Sequence, residues 1–212
     1  MSTTLSATAL VVVDVQNDFC PGGSLATDLG DKVAQGIAGL LSSADIRDRY
    51  AAIVATQDWH IDPGSHFSDD PDFVDSWPVH CVAGTEGAAL REPIEPSLID
   101  EFFRKGAYTA AYSGFEAVQA AQATNDSAAG DAGSTGDAET GTPLMADWLR
   151  EKGIDSIEVC GIATDHCVRA TVLDGLKEGF AVTVLSQLCS PVDTQRGDAA
   201  LDEMKAAGAT VI

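Results

Sequence analysis

Three residues stand where a covalent reaction could be run: Cys167, Asp14 and Lys105. Cys167 follows a short β-branched run, Ile157, Val159 and Ile162, and a tight turn at 161–165. It precedes Val168, Val172, Leu173 and Leu176 at helical spacing, so it falls in the first turn of a helix that follows a strand. Unpaired backbone N–H groups at a helix start favour a thiolate and can receive an oxyanion. Asp14 and Lys105 each follow an apolar or strand-like run, at 9–13 and 101–104. A thiol needs a base to become a good nucleophile, and a nearby ammonium favours its thiolate. Each residue alone has a plainer reading: a packing cysteine, a turn-capping aspartate, a solvated lysine. Their coincidence at three strand ends on one edge of a sheet favours chemistry.

A second cluster follows the run at 51–56. Asp58 and His60 would point to the same side of an extended segment, and a long irregular stretch returns to Trp77 and His80, with His66 between. Three of the four histidines lie in this one loop. A carboxylate with two or three imidazoles suits zinc, iron or manganese and leaves coordination open for water or ligand. The competing reading is that they cap and hydrogen-bond a long loop.

The elements that must hold these residues can be read from periodicity. Strands are expected at 9–13, 51–56, 101–104, 157–162, 181–185 and 210–212, and helices at 31–41, from Thr142-Pro143 to Gly153, after Cys167 and at 193–207. Six strands alternating with helices imply a three-layer α/β/α fold around a central, mainly parallel six-stranded sheet. Open sheets of this kind keep their chemistry at the carboxyl ends of the strands. The 212 residues, 45% of them hydrophobic, suit one domain with one good core. From about 117 to 141 the composition turns to Ala, Gly, Ser, Thr and Asp, which reads as a low-complexity loop insertion.

Composition excludes some partners. Twelve Lys and Arg stand against 33 Asp and Glu, a formal charge of -21, which repels nucleic acid and anionic membranes. No apolar run approaches a membrane span, the start lacks a basic secretory leader, and five cysteines without CxxC spacing suit free thiols in a cytoplasm. Neither a G-x-G-x-x-G nor a G-x-x-x-x-G-K-[ST] motif is present to support dinucleotide or triphosphate binding.

Five stretches carry a family resemblance: DVQNDFCPGGSL from Asp14, DWHIDPGSHFS from Asp58, WPVHCVAGTE from Trp77, KGAYT from Lys105 and GIATDHCV from Gly161. Together they closely resemble the nicotinamidases of the isochorismatase-like cysteine hydrolases, over nearly the whole chain except 117–141. The resemblance implies hydrolysis of nicotinamide, with pyrazinamide as an alternative substrate, in NAD salvage. It implies Cys167 as nucleophile, Asp14 as proton acceptor and donor, and Lys105 as the cation stabilising both. It further implies an oxyanion hole from the amides of Ala163 and Cys167 behind a cis peptide between Ile162 and Ala163. Asp58, His60 and His80 match the ligands of one divalent metal ion, with His66 a fourth ligand or a neighbour of those ligands. Phe19, Trp77 and Tyr112 resemble the aromatic residues that hold the substrate ring, with Ile162 and Ala163 beside them. A monomer or a homo-oligomer would both suit such an enzyme.

Two rivals differ from this reading. Another amidase of the superfamily, acting on a carbamoyl or ureido substrate, would share the Cys-Lys-Asp set but have no use for the metal loop. A non-catalytic metal-binding or thiol-sensing protein needs an accessible thiol but no proton shuttle. His166, next to Cys167, would be turned about 100° away on an α-helix and is not assigned as the base. Cys81, next to His80, is read as packing.

Overall fold

The structure, a computed structural model, describes residues 7–120 and 142–212. Seven strands among them form one sheet: β1 (Ala7–Val13), β2 (Ala52–Asp58), β3 (Glu101–Lys105), β4 (Val118–Gln119), β5 (Ile154–Ile162), β6 (Ala181–Ser190) and β7 (Thr210–Val211). Their order is β4-β3-β2-β1-β5-β6-β7, and every neighbouring pair is parallel except β3 with β4. The helices are α1 (Gly30–Leu41), α2 (Ile46–Arg49), α3 (Met145–Glu151), α4 (Arg169–Lys177) and α5 (Thr194–Ala207).

The near-continuous apolar run of β1 follows from its position, because both of its faces are covered. Ala9, Val11 and Val13 point into one core with Met145 and Leu149 of α3, Val172 of α4 and Met204 of α5. Leu10 and Val12 point into the other with Val33, Ile37 and Leu41 of α1 and Ile46 of α2. These are the three layers expected from the alternation of strands and helices. Asp193 caps α5 through its side chain, which accepts the Arg196 amide at 2.8 Å.

The strand order positions the chemistry. After β1 the chain builds outward through β2 and β3, then crosses back to lay β5 on the other side of β1. The connections leaving β1 and β5 therefore run apart, and a crevice opens between the carboxyl ends of these strands. Asp14 follows β1 and Cys167 follows β5, so the two face each other across it. Gly161 permits the close approach: its φ is 125°, and a Cβ there would lie 2.0 Å from the Val13 carbonyl oxygen. Gly161→Ala is expected to cost at least about 2 kcal/mol, read as a lower denaturant midpoint at unchanged slope. An unchanged midpoint would show that the strands can part without penalty.

The structure departs from the sequence-based expectation in three places. The sheet has a seventh strand, β4, pairing Phe103 with Gln119 and Arg104 with Val118. Two residues are too short to display a period, and these two fall inside the stretch read as low-complexity loop. The remainder of that expected loop, 121–141, lies outside the described residues. The helix expected from Thr142-Pro143 begins at Met145 after Leu144, whose extended backbone (φ -74°, ψ 156°) precedes it. β6 runs five residues beyond Leu185, to Ser190, with an irregularity opposite Val159 and Gly161. No helix among the described residues is long and apolar enough to cross a membrane.

Candidate active site

Asp14, Lys105 and Cys167 meet at the carboxyl edge of the sheet, all three buried. The Lys105 ammonium lies 2.8 Å from Asp14 Oδ2, makes a short contact to Asp58 Oδ1, and reaches the Ala111 carbonyl at 3.3 Å and Cys167 Sγ at 3.6 Å. An oxygen of Asp14, an oxygen of Asp58 and the Cys167 sulfur all lie within 4.8 Å of one another. Asp14 has a left-handed backbone, φ 47°, which turns its side chain out of the strand and across to its neighbours. The three strand-end residues singled out by pattern thus form one contact cluster.

Burial dominates the electrostatics. It pushes the Cys167 thiol well up; Lys105 opposes this, while the Asp14 and Asp58 charges add to it. The thiol therefore keeps its proton until a base removes it. Burial also raises the Asp14 carboxyl, against the pull of Lys105. A more basic carboxylate beside a protonated thiol is the arrangement for proton transfer on demand. Burial alone would lower Lys105, but Asp14, Asp58 and Cys167 hold its ammonium well above the ordinary lysine value.

The turn carrying the thiol is wider than the α-helix start expected for it. Thr164–Val168 is a π-helical turn that runs into α4. The amides of His166 and Val168 both donate to the Ala163 carbonyl, at 3.0 and 3.1 Å, and these bonds skip the Cys167 amide between them. Such single π turns recur at functional sites. The peptide between Ile162 and Ala163 is cis, as the resemblance implied. The widened turn also brings His166 into the pocket wall, edge-on to Trp77 with ring centroids 5.0 Å apart, which corrects the expectation that it would be turned away.

Asp58, His60, His66 and His80 also converge. Asp58 ends β2, and its Oδ2 lies 3.7 Å from His60 Nε2 and 3.9 Å from His80 Nε2. One ring nitrogen from each of His60, His66 and His80 lies within 4.8 Å of the others. His60 Nδ1 donates to the Gly106 carbonyl at 2.6 Å and His80 Nδ1 to the Pro78 carbonyl at 2.7 Å. A carbonyl can only accept, so the neutral form of each ring carries its proton on Nδ1 and its lone pair on Nε2, facing Asp58. Gly106 (φ 77°) allows this approach, since a Cβ there would come within 2.7 Å of the His60 ring. His60 Nε2 and His66 Nδ1 are buried with no hydrogen-bond partner among the described residues.

Neutral imidazoles offering Nε2 lone pairs beside a carboxylate are a donor set that fits a cation. Burial and the neighbouring histidines push His66 down to about 4, so it too is neutral near pH 7. Burial alone would raise Asp58, yet the Lys105 ammonium holds its carboxyl below the usual range. Phe67 backs the cluster, with ring centroids 5.1 Å from His60 and 5.3 Å from His80. These residues fit a divalent metal ion.

The two clusters open into one pocket. Cys167 and Ala163 form part of its lining, with Asp58, His66 and His80 on the metal side and the rings of Phe19, Trp77 and Tyr112 around it. Trp77 Nε1 donates to the Tyr112 hydroxyl at 3.1 Å, which fixes the two rings against each other. Ile162 is different: its side chain is buried in the core with Leu10 and Val12 and is not part of the lining. Alternate residues of a strand face opposite sides, and Ile162 takes the side turned from the pocket. Leu25, Thr27 and Val192 line it without having been singled out. They stand in connecting segments with no periodicity, and only the tertiary fold brings them here.

Comparison with known proteins agrees with this geometry. The isochorismatase domain family matches residues 8–126 and 135–212. The nicotinamidase/pyrazinamidase of Mycobacterium tuberculosis is 46% identical over 204 residues, which cover 96% of this chain and 97% of that protein. Among solved structures, a zinc-bound pyrazinamidase of Pyrococcus horikoshii superposes with a TM-score of 0.74 at 32% identity, covering 97% of this chain and 98% of that one. A protein of L. infantum in complex with nicotinate superposes with a TM-score of 0.76 at 31% identity, covering 100% and 95%.

Proposed function

The chain belongs to the isochorismatase family, and from that premise we propose that it is a single-domain hydrolase converting nicotinamide to nicotinate and ammonia. Pyrazinamide, the aza analogue, is the expected alternative substrate, and nicotinate release serves salvage of the pyridine nucleotides. The observation that supports the reading is one pocket lined by Cys167, which contacts the buried Lys105, and by Asp58, His66 and His80 of the imidazole cluster. An amidase for a carbamoyl or ureido substrate has no use for that cluster.

Asp14 takes the proton from Cys167 Sγ, and the sulfur attacks the carboxamide carbon. The amides of Ala163 and Cys167 receive the oxyanion. Lys105 keeps its charge throughout and balances the negative charge as it passes between carboxylate and sulfur. When the tetrahedral adduct collapses, Asp14 returns the proton to the nitrogen, ammonia leaves, and a thioester remains on Cys167. Water then attacks the thioester carbon, giving a proton to Asp14. Collapse expels the sulfur, which recovers that proton, and the nicotinic acid formed departs as nicotinate after losing its carboxyl proton to solvent. Phe19, Trp77 and Tyr112 hold the ring. Asp58, His60 and His80, with His66, would hold the divalent metal ion, which supplies a Lewis acid for the lone pair of the ring nitrogen.

The test is ammonia release from nicotinamide before and after chelation. Release should fall about tenfold or more on chelation and return with added zinc, iron or manganese. Absence of release from the metal-restored protein would move the assignment to another amide.

A further inference from the structure

Thr56 belongs to neither cluster, yet it grips Asp14 twice. Its carbonyl accepts the Asp14 amide at 3.2 Å, and its hydroxyl donates to Asp14 Oδ1 at 2.6 Å. Both residues are fully buried. β1 and β2 pair Val13 with Thr56, so the threonine stands beside the last residue before Asp14. The left-handed Asp14 backbone begins at this point of the register. The rotamer of Thr56 is constrained from the opposite side. Its methyl group lies against Gly114, where an added Cβ would come within 2.9 Å of Thr56 Cγ2. A β-branched side chain with its methyl held there has its hydroxyl aimed at Asp14.

We propose that Thr56 is a positioning residue for the proton shuttle: its hydroxyl occupies Asp14 Oδ1, leaving Oδ2 on Lys105 beside the Cys167 thiol. A buried carboxylate without this bond has two equivalent oxygens and freedom about its last torsion. With the bond made, only one oxygen is left for the Lys105 ammonium, which itself reaches Cys167 Sγ at 3.6 Å. The bond also stabilises the charged carboxylate in a fully buried site. Thr56 has no place in the pocket lining, so it acts on the reaction only through Asp14.

The role of Asp14 as base is taken from the proposed function, so the experiment reads Thr56 in two ways. Thr56→Val removes the hydroxyl and keeps the shape, whereas Thr56→Ser keeps the hydroxyl and loses the methyl. With nicotinamide, Thr56→Val should lower kcat by about tenfold to a hundredfold and leave KM within about twofold. Thr56→Ser should keep at least about half of kcat. Alkylation of Cys167 by iodoacetamide, followed by peptide mass, needs proton removal from the thiol but no amide hydrolysis. It should be about tenfold slower in Thr56→Val and near the parent rate in Thr56→Ser.

A parent chain that releases no ammonia would sink the amidase reading while the alkylation rates still decide the role of Thr56. Equal losses in Thr56→Ser and Thr56→Val, or a Thr56→Val that matches the parent in both assays, would overturn the proposal. If Thr56→Val does not fold, Thr56→Ala against Thr56→Ser differs only by the hydroxyl and reads the same contrast.

Discussion

Cys167→Ala should lower ammonia release by on the order of 10⁴-fold or more while leaving the protein's metal content unchanged after gel filtration. The first half follows from the loss of the attacking atom. No other cysteine can substitute, because Cys20, Cys81, Cys160 and Cys189 are buried and none is part of the pocket lining. Removing a nucleophile that works as a unit with its base leaves only binding and the oxyanion donors to act on the amide. The second half follows from the donor set: the ring nitrogens of His60, His66 and His80 cluster without the sulfur. Turnover within about tenfold of the parent would refute the nucleophile assignment. Loss of metal from Cys167→Ala would show that the two centres are not separable.

Lys105→Met should be the most damaging single change to the fold among the site residues, and should stop turnover as well. The ammonium is fully enclosed between Asp14 and Asp58. Removing one partner of a buried ion pair leaves its counter-charges stranded, at a cost of about 3–5 kcal/mol. Here two carboxylates are stranded, and one of them must take up a proton near neutral pH. If Asp14 does so, it can no longer accept the thiol proton.

The pH dependence has a definite sign. Lys105 helps hold the Asp58 carboxyl below its usual range in the folded chain. Stabilisation of that kind is present above the unfolded carboxylate pKa of about 4 and is lost as pH falls through the folded value. The stability gap between the parent and Lys105→Met should therefore be widest near neutral pH and narrow on acidification below about pH 4. Denaturant midpoints across that range measure it. A gap that is constant with pH would mean that lost packing, and not stranded charge, explains the damage.

The residues that do chemistry were the most legible part of the chain. Asp14, Lys105 and Cys167 each follow a run with a strand's length and composition, and strand ends on one edge of a parallel sheet must come together. Asp58, His60, His66 and His80 were legible because histidine is scarce here and three of the four share a loop. The walls of the site were not. Leu25, Thr27 and Val192 have no pattern of their own, and Phe67 could be recognised only after the imidazoles it backs were in place. His166 was misjudged because α-helical spacing was assumed where the chain makes a π turn. Ile162 was misjudged because its neighbour Ala163, not its own side chain, meets the pocket. Thr56 could have been suspected, since it ends the run that pairs with β1, but nothing in its residue type announces a role.

The central place of β1 has a consequence for the chain as it is made. Its partner β5 begins at Ile154, nearly three-quarters of the way along, so a nascent chain carries β1 and β2 long before β5 exists. During that interval one edge of a strand containing Leu10, Val11, Val12 and Val13 is open, and an apolar open edge invites pairing with other chains. The acid, the cation and the metal ligands are all translated in this early portion, while the sulfur and its oxyanion donors come last. Reactivity thus arrives only with the segment that also closes the sheet. A message truncated before residue 154 would yield a product both inert and prone to aggregate.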